Sequence, residues 1–287
     1  MPKIEVNGAT LDYTDDGAGD ALVLVPGGMA DRRIWADPIE SLSQSHRVIA
    51  YSLRHHWPND PYPEGAESSF SQHVDDLAAL ISGLEIAPAH VMGHSSGGYL
   101  ALLLAVRRPE LVRSLVLLEP PAMPLFSSVP PKPHEIIRLL FTRPLTAIAM
   151  IRFVSSTIFP TRSALERGDH EAGMRAFLSG VLGRERFEAM PAEILEIFRA
   201  NVHPEDFRGP GFDPVTDDEV RGVKVPTLLV TGEHSAPIFF HITNRLEELM
   251  PNTQRVEVPD AAHGLYLDNP GAFDAAVASF LKSIAAG

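Results

Sequence analysis

The sequence predicts an α/β protein in which a mostly parallel sheet of about eight strands is flanked by helices, with a helical lid inserted after the sixth strand. Three observations predict it. Strand-like and helix-like runs alternate through residues 1–121, the order that builds a parallel sheet with covering helices. The strand-like runs are continuous in apolar residues, as in Ala21-Leu22-Val23-Leu24-Val25, which suits strands buried on both faces. Residues 122–222 read as helical with no convincing strand, and the alternation resumes at Thr227.

Taken in order, residues 3–6 and 11–14 flank Asn7-Gly8 and read as an opening hairpin. The strand at 21–25 ends in Pro26-Gly27-Gly28, which cannot continue it, and 47–52 is the fourth strand. Residues 70–84 place Val74, Leu77, Leu80, Ile81 and Leu84 at helical spacing. A strand at 89–92 runs into Gly93-His94-Ser95-Ser96-Gly97-Gly98, and an Ala/Leu-rich helix follows from 99 to 107, stopping before Pro109. A sixth strand at 115–118 ends at Glu119-Pro120-Pro121. Prolines then cluster over 120–133, and helices are expected near 135–153, 171–182 and 191–202. Strands at 227–231 and 255–258, with helices at 239–250 and 270–283, close the chain. The division is a core of residues 1–121 and 223–287 and a helical cap of residues 122–222. The cap carries apolar bulk at Leu139, Phe141, Met150, Phe153, Phe177, Phe187 and Phe198, some of which is expected to line a pocket.

Composition narrows the functions. Hydrophobic residues make up 45% and charged residues 21% of 287, the balance of a globular protein with a sizeable core. A net charge of −13 argues against a phosphate-backbone partner, so no nucleic acid is expected. With no cysteine, disulfides, thiol catalysis and thiolate metal sites are excluded together. Adjacent His55 and His56 do not make a metal site, and no metal or cofactor is expected. Residues 1–6 are strand-like with no apolar signal region, and no run of about eighteen apolar residues is present. The expectation is a cytoplasmic protein with a small-molecule substrate and no membrane partner; the oligomeric state stays open.

Gly93-x-Ser95-x-Gly97 stands between a buried strand and an Ala/Leu helix. That is the setting of a strained turn that lifts a nucleophilic hydroxyl above a sheet edge, with small neighbours to avoid clashes. A serine hydroxyl is a weak nucleophile until a base takes its proton. In the order Ser, acid, His the base comes last, on a loop after the final strand, where His263 stands in Asp260-Ala261-Ala262-His263. An oxyanion hole needs backbone N–H donors, and Ser96 and Gly28 are the candidates. His94 is expected to pack or hydrogen-bond, and His55-His56-Trp57 to rim a pocket or lie in solvent. Asp75-Asp76 and Asp217-Asp218-Glu219 read as solvated surface.

With these residues in place, the chain resembles the α/β-hydrolase family over nearly its full length. Members often carry His-Gly where this chain has Pro26-Gly27, and an Asp after the seventh strand where it has Gly232-Glu233-His234-Ser235. The resemblance implies another acid, Glu119, because the sixth strand neighbours the nucleophile's strand. A Ser-His-Glu arrangement of that kind is similar to the zearalenone lactonases. So are Val25-Pro26-Gly27-Gly28 and Pro237-Ile238-Phe239-Phe240, although both tryptophans, Trp35 and Trp57, precede the cap. The resemblance implies a serine hydrolase of carboxylic esters or lactones, with a macrocyclic lactone such as zearalenone as a candidate substrate. A cofactor-free perhydrolase or haloperoxidase, a carbon–carbon bond hydrolase and a non-turnover receptor remain open. Dehalogenases and epoxide hydrolases usually place Asp at the nucleophile, which Ser95 argues against.

Overall fold

The computed structural model describes residues 1–208 and 211–285. Eight strands form one sheet: β1 (Lys3–Val6), β2 (Ala9–Asp16), β3 (Ala21–Val25), β4 (Arg47–Tyr51), β5 (Ala89–His94), β6 (Val112–Leu118), β7 (Thr227–Gly232) and β8 (Thr253–Val258). Their spatial order is β1-β2-β4-β3-β5-β6-β7-β8. The β1–β2 and β2–β4 pairs are antiparallel and the remaining pairs parallel. Leu22, Val23, Leu24, Val91, Met92, Leu115, Val116 and Leu117 are buried in the central strands. Each such side chain contributes about 1.5–3 kcal/mol of burial free energy.

The helices in chain order are α1 (Ala36–Leu42), α2 (Phe70–Gly83), α3 (Ser96–Arg107), α4 (Pro133–Thr142), α5 (Pro144–Phe153), α6 (Phe159–Glu166) and α7 (His170–Leu182). After them come α8 (Arg184–Glu188), α9 (Ala192–Arg199), α10 (Asp217–Gly222), α11 (Pro237–Leu249), α12 (Leu265–Asp268) and α13 (Pro270–Ala285). Helices α2 and α3 pack together beside β1, β5 and β6, whereas α1 packs on α13 and α11 on β7. Among the described residues no helix is long and apolar enough to cross a membrane.

Strand order explains where a site forms. From β3 the chain crosses to β4 on one side and then to β5 on the other, so the loops leaving β3 and β5 diverge at a switch point. A crevice opens there, at the carboxyl ends of the strands. The ladder continues past the strand ends: Ser95 N–H donates to Leu118 O at 2.8 Å, Glu119 N–H to Val230 O at 3.2 Å, and Glu233 N–H to Val258 O at 3.0 Å. Residues far apart in sequence are thereby stitched along one edge.

The helical insertion is more divided than the sequence suggests. The expected helix over 135–153 is two helices, because Pro144 has no N–H to donate and its ring excludes the preceding turn. A π-helical turn, Val154–Ile158, then carries α5 into α6 without a break, since Ile158 and Phe159 keep helical backbone angles, and Pro160, which has no N–H to donate, sits just past that widened turn. Asp76 corrects the reading of Asp75-Asp76 as solvated surface. It is buried and accepts hydrogen bonds from Arg54 Nε at 2.8 Å and Nη2 at 2.7 Å. A buried carboxylate is tolerated when a guanidinium meets both oxygens.

Candidate active site

The turn from β5 into α3 holds Ser95 at φ 52° and ψ −125°. Its glycines are steric necessities. A Cβ on Gly93 would stand 2.2 Å from Gly97 O, and one on Gly97 would stand 2.4 Å from both Pro26 O and Val25 O. The same closeness brings the β3 loop against the turn: an added Cβ on Gly28 would meet Ser96 Oγ at 3.6 Å. Gly28, Ser95 and Ser96 all line one cavity of about 300 Å³. Ser96 opens α3, so its N–H belongs to the unpaired first turn of a helix, which favours negative charge.

His263 lies after β8 and is buried. Its Nδ1 is 2.6 Å from Glu119 Oε2, and Glu119 Oε1 accepts the Gly232 N–H at 2.8 Å. Glu119 has no exposed surface and a left-handed backbone, φ 47°. A carboxylate only accepts, so Nδ1 carries the ring proton and Nε2 holds the lone pair. Nε2 is buried with no hydrogen-bond partner, so no bond to Ser95 Oγ is formed here. In unliganded sites such bonds are commonly long and tighten with substrate.

Aromatic rings fix this imidazole. Phe239 stacks on it with centroids 4.3 Å apart and planes 16° apart, and His94 packs against it at 4.6 Å. His94 Nε2–H donates to His263 O at 2.8 Å, and the Tyr266 hydroxyl lies 3.3 Å from His94 Nδ1. Burial and the adjacent His263 push the His94 pKa well below its usual value, so His94 stays neutral.

The carboxylates near the seventh strand are occupied elsewhere. Glu233 is exposed, and its Oε2 accepts the Asp260 N–H at 2.9 Å. Asp260 is exposed, and Ser235 is buried with an unpartnered Oγ. Glu233, His234 and Asp260 are the one group among the described residues with metal-ligand spacing, within 4.8 Å of one another and exposed.

The cavity wall is largely apolar. Met150, Phe153 and Phe177 of the inserted segment line it, with Val154 and Ile158 between them. Leu139, Phe187 and Phe198 are buried without lining it, and Phe141 is exposed. One stretch of wall is polar, and sequence reasoning found only part of it. His56 is buried, with Nδ1 2.7 Å from Ala30 O and Nε2 3.2 Å from Asp206 Oδ2, while the Tyr62 hydroxyl donates to Asp206 Oδ1 at 2.6 Å. Burial opposes charge on His56, yet Asp206 and the Ala30 carbonyl raise its pKa. Burial likewise opposes ionisation of Asp206, but His56 and Tyr62 lower its pKa. His73, on the same wall, is buried with Nδ1 unpartnered, and burial pushes its pKa down to about 4. Asp206 is 150 residues from His56 and carries no local sequence signal.

Known proteins of this shape are diverse in sequence. Over 306 aligned residues the chain is 24% identical to the bifunctional epoxide hydrolase 2 of Sus scrofa, covering 96% of this chain and 54% of that one. The chain thus spans about half the length of that relative. It is 27% identical over 250 residues to the sn-1-specific diacylglycerol lipase ABHD11 of Mus musculus, covering 82% of this chain and 71% of that one. A thermophilic esterase from Thermogutta terrifontis superposes with a TM-score of 0.72 at 20% identity, over 99% of each chain, a likeness of fold. The sequence profile of the alpha/beta hydrolase family matches residues 22–276, and the chain belongs to that family.

Proposed function

We propose that this protein is a serine hydrolase that cleaves a carboxylic ester or lactone through an acyl-enzyme, with Ser95 as nucleophile, His263 as base and Glu119 as the acid of the triad. The observation that carries the proposal is the 2.6 Å contact of Glu119 with His263 Nδ1, which leaves the Nε2 lone pair unspent beside the nucleophile's turn. Ser95 Oγ attacks the carbonyl carbon as Nε2 takes its proton. The oxygen's developing charge is held by the N–H groups of Gly28 and Ser96. The imidazolium is stabilised by Glu119 and by the face of Phe239. Nε2 then protonates the departing alkoxide, and water repeats the sequence to free Ser95. No cofactor enters any step.

For the substrate, the apolar wall with Met150, Phe153 and Phe177 supports a bulky acyl or alcohol portion, and a macrocyclic lactone such as zearalenone is the finer candidate. The polar stretch at His56, His73 and Asp206 suits a substrate that also bears a neutral polar group. The test is a panel of esters and macrolactones with intact-mass detection of the acyl-enzyme. Ser95→Ala is expected to lose about 10³-fold or more in turnover and to form no adduct. Retention of half the activity by Ser95→Ala, or an adduct on another residue, would overturn the proposal.

A further inference from the structure

Among the described residues, the exposed large hydrophobic side chains are concentrated in one place. Apart from Met1 and Trp57, all of them lie between residues 137 and 159: Ile137, Leu140, Phe141, Leu145, Ile148, Ile151 and Phe159. Phe141 is 86% exposed, Leu145 and Phe159 each 69%, and Ile148 57%. Within α4 and within α5 they recur at helical spacing, so each helix turns an apolar stripe outward. Scattered exposed apolar residues need no explanation, whereas a cluster of this kind does.

The opposite side of the same rod is apolar too. Met150, Phe153, Val154 and Ile158 line the cavity beside Ser95. A helix that is apolar all round is expected to be buried on all sides. Here the inner side is covered by the protein, and none of the described residues covers the outer side.

Charge says what covers it. Residues 132–162 hold Lys132, Arg138, Arg143, Arg152 and Arg162 against one carboxylate, Glu135, in a chain whose net charge is −13. Glu135 is spent on the Ser128 and Lys132 N–H groups. Arg143 meets Glu248 at 3.0 Å and Arg162 meets Glu166 at 3.9 Å. The remaining cations, Lys132, Arg138 and Arg152, pair with no carboxylate among the described residues. Beside the apolar stripe, Ala149, Arg152 and Phe153 of α5 and Arg175 of α7 line an open groove of about 790 Å³, and among the described residues Arg175 also pairs with no carboxylate. An apolar stripe rimmed by cations is the pattern of a surface that lies on anionic lipid. A symmetric contact with a second copy would set these cations against themselves. The lack of a spanning helix bears on crossing a bilayer and not on resting against one.

We propose that the outer face of α4, α5 and α6 docks on an anionic lipid surface, which places the cavity beside Ser95 next to the lipid phase. The experiment is co-flotation of the full chain with vesicles of phosphatidylcholine alone or mixed with phosphatidylglycerol. Binding is expected to the mixed vesicles and not to phosphatidylcholine alone, and to weaken with salt. Phe141→Ser combined with Leu145→Gln is expected to weaken it about tenfold or more. Arg138→Glu combined with Arg152→Glu is expected to abolish the preference for phosphatidylglycerol. All four side chains are at the surface and outside the cavity beside Ser95, so hydrolysis of a soluble short-chain ester should not change. Ser95→Ala is expected to bind vesicles like the wild type, so docking and hydrolysis are tested separately. Failure of the wild type to float with mixed vesicles overturns the proposal. So does equal binding by the Phe141→Ser, Leu145→Gln protein, or a dimer that this double substitution dissolves while no vesicle binding is seen.

Discussion

Both oxygens of Glu119 are committed, one to a backbone donor and one to the imidazole. This makes Glu119→Gln an informative change. The amide must keep its oxygen toward the Gly232 N–H, because its NH2 there would face a donor. The NH2 is then turned toward His263 Nδ1, which must become an acceptor, so the ring proton moves to Nε2. That is the tautomer that cannot take a proton from Ser95. Turnover is expected to fall by up to about 10⁴-fold, the loss seen when an acid of this type is made neutral. Glu233→Gln touches only an exposed cap on the Asp260 N–H and is expected to retain wild-type turnover. Turnover numbers for both variants, with thermal melts to show intact folding, check the pair. A near-wild-type Glu119→Gln beside an inactive Glu233→Gln would reverse the assignment.

At the scale of elements, α5 and the turn that follows it set the cavity's width. Ile158 is half-buried and lines the wall, so Ile158→Trp adds bulk there without opening the core. The expected outcome is a loss of about tenfold or more in kcat/KM for bulky aryl esters, with little change for an acetate ester. Equal losses on both substrates would mean that this wall does not select. The strands and the Ser95 turn were legible because their signals are local: an apolar run, then glycines whose spacing a strained turn demands. Glu119 was legible only with strand adjacency added, since its bond to His263 spans 144 residues. Arg143-Pro144 was overlooked as a break because the apolar spacing of 135–153 runs through it. The His56–Asp206 contact and the burial of Asp76 were not legible, because each depends on a partner brought in by the fold. Of the outward stripe of α4 and α5 only Phe141 was marked in the sequence, as apolar bulk of the cap, because periodicity does not say whether a stripe faces core or solvent.

For the whole molecule, buried histidines tie stability to pH. His73, His90 and His94 are buried, and each has a pKa below the ordinary value of 6.5, with His73 and His90 at about 4. Burial is the largest cause in each case, since a charged imidazole loses more than a neutral one on leaving water. The unfolded chain therefore binds more protons than the folded one between about pH 4 and 6.5, so stability rises with pH across that window and is lost as pH falls through it. His73 alone contributes a slope of up to about 1.4 kcal/mol per pH unit there. His56 runs the other way: its raised pKa gives stability that is full below 6.5 and fades as pH rises through the folded value. Its partner Asp206, with a lowered pKa, gives stability present above 3.8 and lost as pH falls through the folded value. Protonation of surface carboxylates also eases the repulsion of a chain at −13, which opposes the histidine effect. Burial also lowers His46, His203 and His241, so six depressed histidines against one raised histidine leave a net loss. The urea midpoint is expected to fall steadily from pH 7 to pH 5. Replacing His73, whose Nδ1 has no partner, by Gln is expected to flatten that fall without touching Ser95, Glu119 or His263. A midpoint that is level or rises over the same range, or a slope unchanged in His73→Gln, would show that these imidazoles take up protons in the folded state.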